Sequence, residues 1–159
     1  MNKSNIIAAT TLFFLITFFG CSKPPPTEEG VIRGIIDEVA EKASAKDIMA
    51  IKKHISKSYR DRRGNDYQAI SGILLYHFWA EKTSVYLTEV EVSVEGEEAN
   101  AVVKAILTRG KEFKSLKDLI PDAASYYQFD VVFRKEDGKW LVRSGDWKPA
   151  SSVQEGIDE

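Results

Sequence analysis

Cysteine and histidine are scarce in this chain of 159 residues, and their scarcity excludes several classes of protein. One cysteine and two histidines leave no internal disulfide and no zinc site of the usual composition. Basic and acidic residues nearly balance, 22 against 24, which excludes a strongly basic nucleic-acid binder. The sequence also has no phosphate-binding loop, dinucleotide fingerprint or serine-nucleophile motif, so no cofactor is expected.

The longest apolar run lies at the start of the chain. Residues 6–19 carry no charge, follow Lys3 and end just before Gly20 and Cys21. A basic start, a short apolar run and a small residue are typical of an export signal, and this run is shorter than the ~20 residues that cross a bilayer. Because cysteine follows directly, residues 1–22 resemble a bacterial lipoprotein signal. The resemblance implies cleavage after residue 20, a diacylglycerol on the Cys21 sulfur and a fatty acyl group such as palmitate on its amine.

This resemblance implies both a location in the cell and a membrane tether. The alternative is an uncleaved anchor or a plain signal peptide. The implied protein is anchored in the bacterial cell envelope and faces the periplasm, and Ser22 favours the outer membrane. Residues 21–26 include three consecutive prolines, which predict a short polyproline spacer. Loss of Lys3 leaves 21 basic against 24 acidic residues, so the net charge of the mature chain gives it no reason to lie flat on anionic lipid.

Helical periodicity predicts three helices after the spacer. Thr27 caps the first helix, and Ser44 with Asp47 forms a capping box for the second. Gly64 ends the second helix and Asn65 starts the third. The apolar edge of the second helix is predicted to extend through residues one turn apart: Ile48, Ile51, Ile55 and Tyr59.

From residue 84 the apolar positions alternate, which predicts four strands. The segments Glu95-Gly96-Glu97 and Glu136-Asp137-Gly138 are hairpin turns. Residues 109–125 are predicted to form an irregular excursion. It either covers the mouth of a ligand pocket, contacts a partner or folds onto its own domain. Strict alternation places Tyr86 on the face of Val90. The polar and acidic residues 150–159 are predicted to be a disordered tail.

Segregated helices and strands predict an α+β domain over residues 27–149, with three N-terminal helices on a curved, mainly antiparallel four-stranded sheet. Four short segments occur in a characteristic order: Ser58-Tyr59-Arg60-Asp61 before Gly64, Val90-Glu91-Val92, Glu98-Ala99-Asn100-Ala101-Val102 and Gly138-Lys139-Trp140-Leu141-Val142. In this order, residues 28–148 resemble the nuclear-transport-factor-2-like superfamily. Its cystatin-like cone is shared with SnoaL-like cyclases and ketosteroid isomerase.

The resemblance implies a cone open at one end, with a pocket between the sheet and the helices. We place nine residues near it: Tyr59, His77, Phe78, Tyr86, Tyr127, Phe129, Trp140, Ser144 and Asp146. His77 is either a general base or a core histidine bonded to tyrosine or backbone. Alternation puts Asp146 on the face of Trp140 and Val142, where it is either a desolvated base or a carboxylate that is solvated or paired with Arg143.

No residue securely matches a catalytic motif of the superfamily, so none is assigned as catalytic. Residues 61–66 are read as helix caps, since Arg62 and Arg63 occupy positions where a calcium loop needs acidic ligands. No metal site is therefore expected in the chain.

The sequence predicts a membrane-tethered lipoprotein that binds, without catalysis, a small apolar or amphipathic ligand or an envelope protein partner. The alternative is an isomerase- or cyclase-type enzyme with Asp146 or His77 as its base. A third hypothesis is a structural module that forms a homodimer through the outer face of the sheet. The charges on that face favour a wet interface or none: Glu89, Glu91, Lys104, Asp130 and Arg134.

Overall fold

Helices precede strands in the computed structural model, which describes residues 26–80, 83–109 and 124–150. The elements in chain order are α1 (Glu28–Ser44), α2 (Ile48–Lys52), α3 (Tyr67–Ala80), β1 (Thr83–Glu95), β2 (Glu98–Arg109), β3 (Ala124–Glu136) and β4 (Lys139–Pro149). The predicted α+β class is confirmed. The signal segment, Cys21, most of the 109–125 excursion and the tail after residue 150 lie outside the described residues. Within the described ranges, none of the helices combines the length and apolarity needed to cross a bilayer.

α1 begins where its cap predicts. The Thr27 hydroxyl accepts a hydrogen bond from the Gly30 N–H at 3.1 Å, and Glu28 and Glu29 occupy the first turn, where the helix dipole favours negative charge. The buried side of the helix carries residues at helical spacing: Ile32, Ile36, Ala40 and Ala43. α1 therefore packs one apolar stripe against the sheet.

α2 is shorter than the sequence predicts. Asp47 caps it through the Ala50 N–H, but the helix ends at Lys52 rather than near Tyr59. Residues 54–60 run beside β4 instead. The Val142 N–H donates to the His54 carbonyl at 2.7 Å, and the Ser56 N–H donates to the Val142 carbonyl at 2.9 Å. β4 is an edge strand, and residues 54–60 supply hydrogen-bond partners for backbone N–H and C=O groups that it would otherwise leave unpaired. This gain in free energy outweighs that of continuing the helix.

α3 begins at Tyr67, two residues later than its predicted cap. The carboxylate of Asp66, rather than Asn65, caps the helix by accepting from the N–H groups of Gln68 and Ala69, each at 2.9 Å. Gly64 precedes this cap with φ of 84°, a left-handed conformation that glycine adopts without strain. The prediction that Gly64 ends the second helix is wrong, because α2 ends at Lys52 and Gly64 instead closes the turn that precedes the cap of α3.

The four strands form one antiparallel sheet in the order β1-β2-β3-β4. Both predicted hairpins are confirmed, since β1 joins β2 at Glu95–Glu98 and β3 joins β4 at Glu136–Lys139. In the second hairpin Asp137 and Gly138 both have positive φ, 48° and 77°, as the favoured two-residue turn requires. The two hairpins lie at the same end of the sheet.

Each outer strand contains one register shift, and these shifts change which residues face the helices. In β1, Leu87 pairs with Ala105 and Glu89 with Lys104, so Thr88 is the additional residue. In β4, Arg143 is the additional residue, between the pairs of Phe133 with Val142 and Val132 with Ser144. A bulge of this kind moves the following residues to the other face.

The predicted faces of three residues are therefore wrong. Tyr86 lies opposite Ile106, on the face away from Val90 and Val103. Ser144 and Asp146 share the face of Val132 and Asp130 rather than that of Trp140 and Val142. Gly145 and Trp147 take the face towards the helices, opposite Val131 and Phe129.

The hairpin end of the molecule is filled by one tightly packed cluster: Ile32, Ile36, Ala99, Ala101, Val103, Phe133 and Trp140. There Glu28, at the start of α1, accepts hydrogen bonds from the Trp140 indole N–H and from the Lys135 ammonium group. A second cluster joins α1, α2, α3 and residues 55–59: Ala43, Ile51, Ile55, Tyr59 and Ile70. The candidate site lies in the space between α1, the residues of this second cluster and the sheet.

Candidate functional site

A cavity of about 380 Å³ lies between the helices and the inner face of the sheet. Its wall is mainly apolar and comes from every helix and strand. Representative lining residues are Ile35 and Val39 of α1, Leu74 of α3, Leu87 of β1, Val103 of β2 and Phe129 of β3. Lining residues near the hairpin end, such as Phe133, are buried, whereas Leu74, Leu107 and Ser125 at the opposite end are partly exposed. The cavity is therefore closed at the hairpin end.

Small side chains account for the empty space. Most residues of β2 that face the helices are alanines. One of them, Ala105, lines the cavity and is almost fully buried. Across from the sheet, α1 contributes Ala40 and Ala43 to the same wall. Each alanine removes the volume that a leucine would fill in a close-packed interior. Ala40, Ala43 and Ala105 thus leave space in the cavity that larger side chains would fill.

Tyr59 provides a buried hydroxyl in the cavity wall. The side chain is 4% exposed, and its hydroxyl donates to the Gly145 carbonyl at 3.3 Å and lies 3.5 Å from the Asp61 Oδ2 atom. Burial raises the pKa of Tyr59 to about 12, and the nearby Asp61 charge adds to this effect. The hydroxyl therefore stays protonated at neutral pH and acts as a hydrogen-bond donor.

Asp61 organises the loop that precedes α3. Its carboxylate accepts from the Arg63 and Asn65 N–H groups, each at 2.9 Å, and from the Asn65 side-chain amide at 2.8 Å. Burial acts to raise the pKa of Asp61, but the hydrogen bonds from Asn65 and Arg63 outweigh it and hold that pKa below its ordinary value. Asp61 is thus a structural carboxylate. The described part of the chain contains no group of three or more His, Cys, Asp or Glu residues suited to a metal ion.

Asp146 is paired with arginines of that loop rather than with the expected Arg143. Its carboxylate lies 3.3 Å from Arg63 Nη2 and 3.7 Å from Arg62 Nε, and it accepts from the Trp147 N–H at 3.0 Å. Arg63 also places its guanidinium over the Trp147 ring. Asp146 borders the cavity, but these partners make it an ion-pair residue at the site.

His54 also lines the cavity, and the sequence reasoning missed it. Its Nε2 atom lies 3.3 Å from Oε2 of Glu38, so a carboxylate of α1 helps to orient the imidazole ring. The available signal was its spacing, because His54 follows the buried Ile51 by three residues. Trp147 and Gly145 were missed because the bulge at Arg143 changes their face.

The predicted pocket residues are distributed over three environments. Tyr59, Tyr127, Phe129 and Asp146 are among the lining residues. Trp140 is buried in the cluster at the hairpin end, while Tyr86 and Ser144 take the outer face of the sheet. His77 and Phe78 belong to α3, and their side chains, like Cys21, lie outside the described part of the chain.

Solved structures share this architecture at low sequence identity. A nuclear-transport-factor-2-like protein of unknown function from Pseudomonas putida has a TM-score of 0.64 and 16% identity, over 79% of this chain and 89% of that one. A putative dehydratase of the same family from Streptomyces avermitilis has a TM-score of 0.62 and 13% identity, over 76% and 94%. Protein Bd1075 of Bdellovibrio bacteriovorus has a TM-score of 0.62 and 9% identity, over 76% of this chain.

This chain spans only 40% of the length of the Bdellovibrio protein. No protein-family model and no curated protein sequence matches the chain. Identities this low establish the fold alone. The fold is the nuclear-transport-factor-2-like, cystatin-like cone that the sequence resemblance predicts.

Proposed function

We propose that this protein is a lipoprotein tethered by Cys21, whose periplasm-facing cone binds a small apolar or amphipathic ligand without catalysis. The observation that carries the proposal is the cavity of about 380 Å³ with its mainly apolar wall. Ligand pockets typically measure ~300–1,000 Å³, so the cavity suits a small molecule. Binding would remove apolar surface of both partners from water.

Two polar residues of the wall, Tyr59 and Asp146, support binding rather than catalysis. Tyr59 donates to the Gly145 carbonyl, and Asp146 is held by Arg62 and Arg63. A general base needs a free acceptor within reach of the substrate proton. These two groups already have partners in the protein, so they contribute shape and polarity to the wall.

The anchor part of the proposal depends on the position of Cys21 in the sequence. Thr27, the cap of α1, lies six positions after it in the chain. An extended segment of that length spans at most ~20 Å. Acyl chains contribute ~0.8 kcal/mol per buried methylene, so two or three of them would hold the domain at a membrane almost permanently.

Binding of an apolar fluorescent probe, N-phenyl-1-naphthylamine, tests the cavity. We expect the probe to bind the wild-type protein and to bind Ala105→Leu at least about tenfold more weakly, because the added methyl groups occupy the cavity. Ala45→Leu makes the same chemical change at an exposed position and serves as the matched control. Equal binding to all three proteins would contradict the cavity as the binding site.

The Cys21→Ser variant tests the anchor. In the bacterial host, we expect the wild-type protein to carry the mass of diacylglycerol and a fatty acyl group and to start at Cys21. The variant should carry no lipid and retain its leader. A mature, lipid-bearing product from the variant would exclude Cys21 as the modified residue.

A lyase- or isomerase-type enzyme is the second candidate function. It is favoured by His54, which lines the cavity and is held by Glu38, and by the putative dehydratase among the structural neighbours. The bases predicted from sequence, Asp146 and His77, belong to this same hypothesis. Turnover of a bound ligand that is lost in His54→Gln but retained in Asp146→Asn would support the enzyme with His54 as its base.

A further inference from the structure

The outer side of α3 is exposed and uncharged. The helix Tyr67–Ala80 contains no Asp, Glu, Lys or Arg. Ala69, Gly72 and Tyr76 recur at spacings of three and four residues, and all three are exposed. Leu75 is 52% exposed and Tyr76 is 71% exposed, and a Cβ added to Gly72 would meet nothing within 4 Å. We call Ala69, Gly72, Leu75 and Tyr76 the α3 face.

Basic side chains surround the first turn of the same helix. Lys52 Nζ lies 5.4 Å and Lys57 Nζ 3.7 Å from the centroid of the Tyr67 ring. Arg60 forms a backbone bridge with Asp66, which caps α3. We call Lys52, Lys53, Lys57 and Arg60 the basic rim.

The acidic residues of this region do not cancel the rim. Residues 46–66 contain seven Lys or Arg against three Asp, and two of the basic residues, Arg62 and Arg63, pair with Asp146. Asp47 accepts from the Ala50 N–H at the start of α2, and Asp61 is buried within its loop. The slightly negative net charge of the chain therefore conceals a local excess of positive charge, carried by Lys52, Lys53 and Lys57, beside an uncharged helix face.

We propose that the α3 face and the basic rim dock on an anionic lipid surface. An exposed apolar helix face with basic neighbours is the chemistry of proteins that lie at a lipid headgroup layer. Each basic residue close to such a surface contributes about fivefold to the partition coefficient. This inference rests on the proposed anchor at Cys21, because a tether of at most ~20 Å keeps the domain beside the lipid.

The exposed side of α1 fits this orientation because it would be repelled by the same surface. Asp37, Glu38 and Glu41 are exposed there, and the pair between Glu38 and His54 marks its boundary with the basic region. Anionic lipid would therefore attract the basic rim and repel these three carboxylates of α1. The proposal departs from the expectation drawn from net charge alone, which gave the body no reason to lie flat on anionic lipid.

Fluorescence of the mature, lipid-bearing protein in vesicles tests the docking. An environment-sensitive probe is attached to Ala69→Cys in the α3 face or, as the control, to Ser93→Cys on the outer face of the sheet. In vesicles of phosphatidylcholine and phosphatidylglycerol, we expect a blue shift and quenching by nitroxide-labelled lipid at residue 69 only. The same response from both positions, or no response at residue 69, would overturn the proposal.

Charge reversal separates lipid docking from other contacts. Lys53→Glu, Lys57→Glu and Arg60→Glu together should reduce the phosphatidylglycerol-dependent quenching at least about tenfold. A matched triple variant at Arg134, Lys139 and Lys148, also to Glu, should retain it. A residue 69 signal that depends on protein concentration and not on lipid would overturn the proposal in favour of contact with a second copy.

The mass of the purified chain reports the anchor independently. If the mass shows no lipid, the proposed anchor fails, and the same vesicles are added to unlipidated protein that carries Cys21→Ser, so that the probe reacts at residue 69 alone. Quenching at residue 69 would then support the docking surface by itself. Its absence would contradict the docking surface as well.

Discussion

The guanidinium carbon of Arg63 lies 4.0 Å from the centroid of the Trp147 ring, and the same guanidinium donates to the Trp147 carbonyl at 3.1 Å. Trp147 packs against the second core cluster and lines the cavity. The loop that Asp61 organises therefore holds one wall of the candidate site. Loop and cavity are mechanically connected through this pair.

Replacing Arg63 with alanine should loosen the Trp147 wall. A cation–π contact of a partly exposed arginine contributes about 0.5–1 kcal/mol, and the hydrogen bond to the Trp147 carbonyl is lost with it. We expect the free energy of unfolding in urea to fall by ~1 kcal/mol and probe binding to weaken. Arg63→Lys keeps the charge but not the planar stack, so an unchanged value in both variants would contradict the role of the pair.

Replacing Asp61 with asparagine should destabilise the domain and change its acid unfolding. Asparagine keeps the Oδ1 atom that accepts from the Arg63 and Asn65 N–H groups, but it places an amide NH2 against the Asn65 amide and the Tyr59 hydroxyl. The substitution should therefore cost ~1–3 kcal/mol at neutral pH. Because the pKa of Asp61 is lowered in the folded protein, its contribution is present above ~4 and is lost as pH falls through the folded pKa. Urea unfolding of both proteins between neutral pH and strong acid measures this. A stability difference that stays constant over the range would contradict it.

Replacing Tyr59 with phenylalanine should alter alkaline unfolding. The pKa of Tyr59 is raised from 10.0 to about 12 in the folded protein. Stability from the protonated hydroxyl is therefore complete below pH ~10 and is lost as pH rises through the folded pKa. As the pH becomes more alkaline, the midpoint temperature of thermal unfolding should fall less steeply for Tyr59→Phe than for the wild type. At neutral pH the variant should lose ~1 kcal/mol, since the Gly145 carbonyl loses its donor.

Ala105→Leu should separate stability from binding. Because Ala105 borders empty space, leucine adds buried methyl groups worth ~0.8 kcal/mol each, and the thermal midpoint should rise or stay the same. Probe binding should weaken in the same protein. A lowered midpoint with unchanged binding would show that the space near residue 105 is already filled.

The element order of the fold could be predicted because its signals are local. Thr27, Asp47, the two hairpin turns and the alternation of β2 each determine structure within a few residues. The end of α2 could not be predicted, since residues 54–60 continue a helical period but pair with β4. That choice depends on an edge far away in sequence, and a local pattern does not contain it.

The candidate site could be predicted only in part, and the bulges explain why. Tyr127 and Phe129 follow an alternation that no bulge interrupts, and they line the cavity. Tyr59 also lines it, but from the segment beside β4 rather than from the predicted helix. Tyr86 and Asp146 precede or follow an additional residue, so strict alternation assigns them the wrong face. The sequence does contain a signal of the shift, because Val85, Leu87 and Trp147 place apolar side chains in the opposite phase.

Native mass spectrometry of the protein extracted from its own host membrane tests the central claim most directly. We predict a lipid-bearing chain that starts at Cys21 and carries a small, non-covalent molecule in the wild type, with that molecule reduced or absent in Ala105→Leu. A bound molecule present to the same extent in both proteins, or absent from both, would contradict a ligand held in the cavity of the cone.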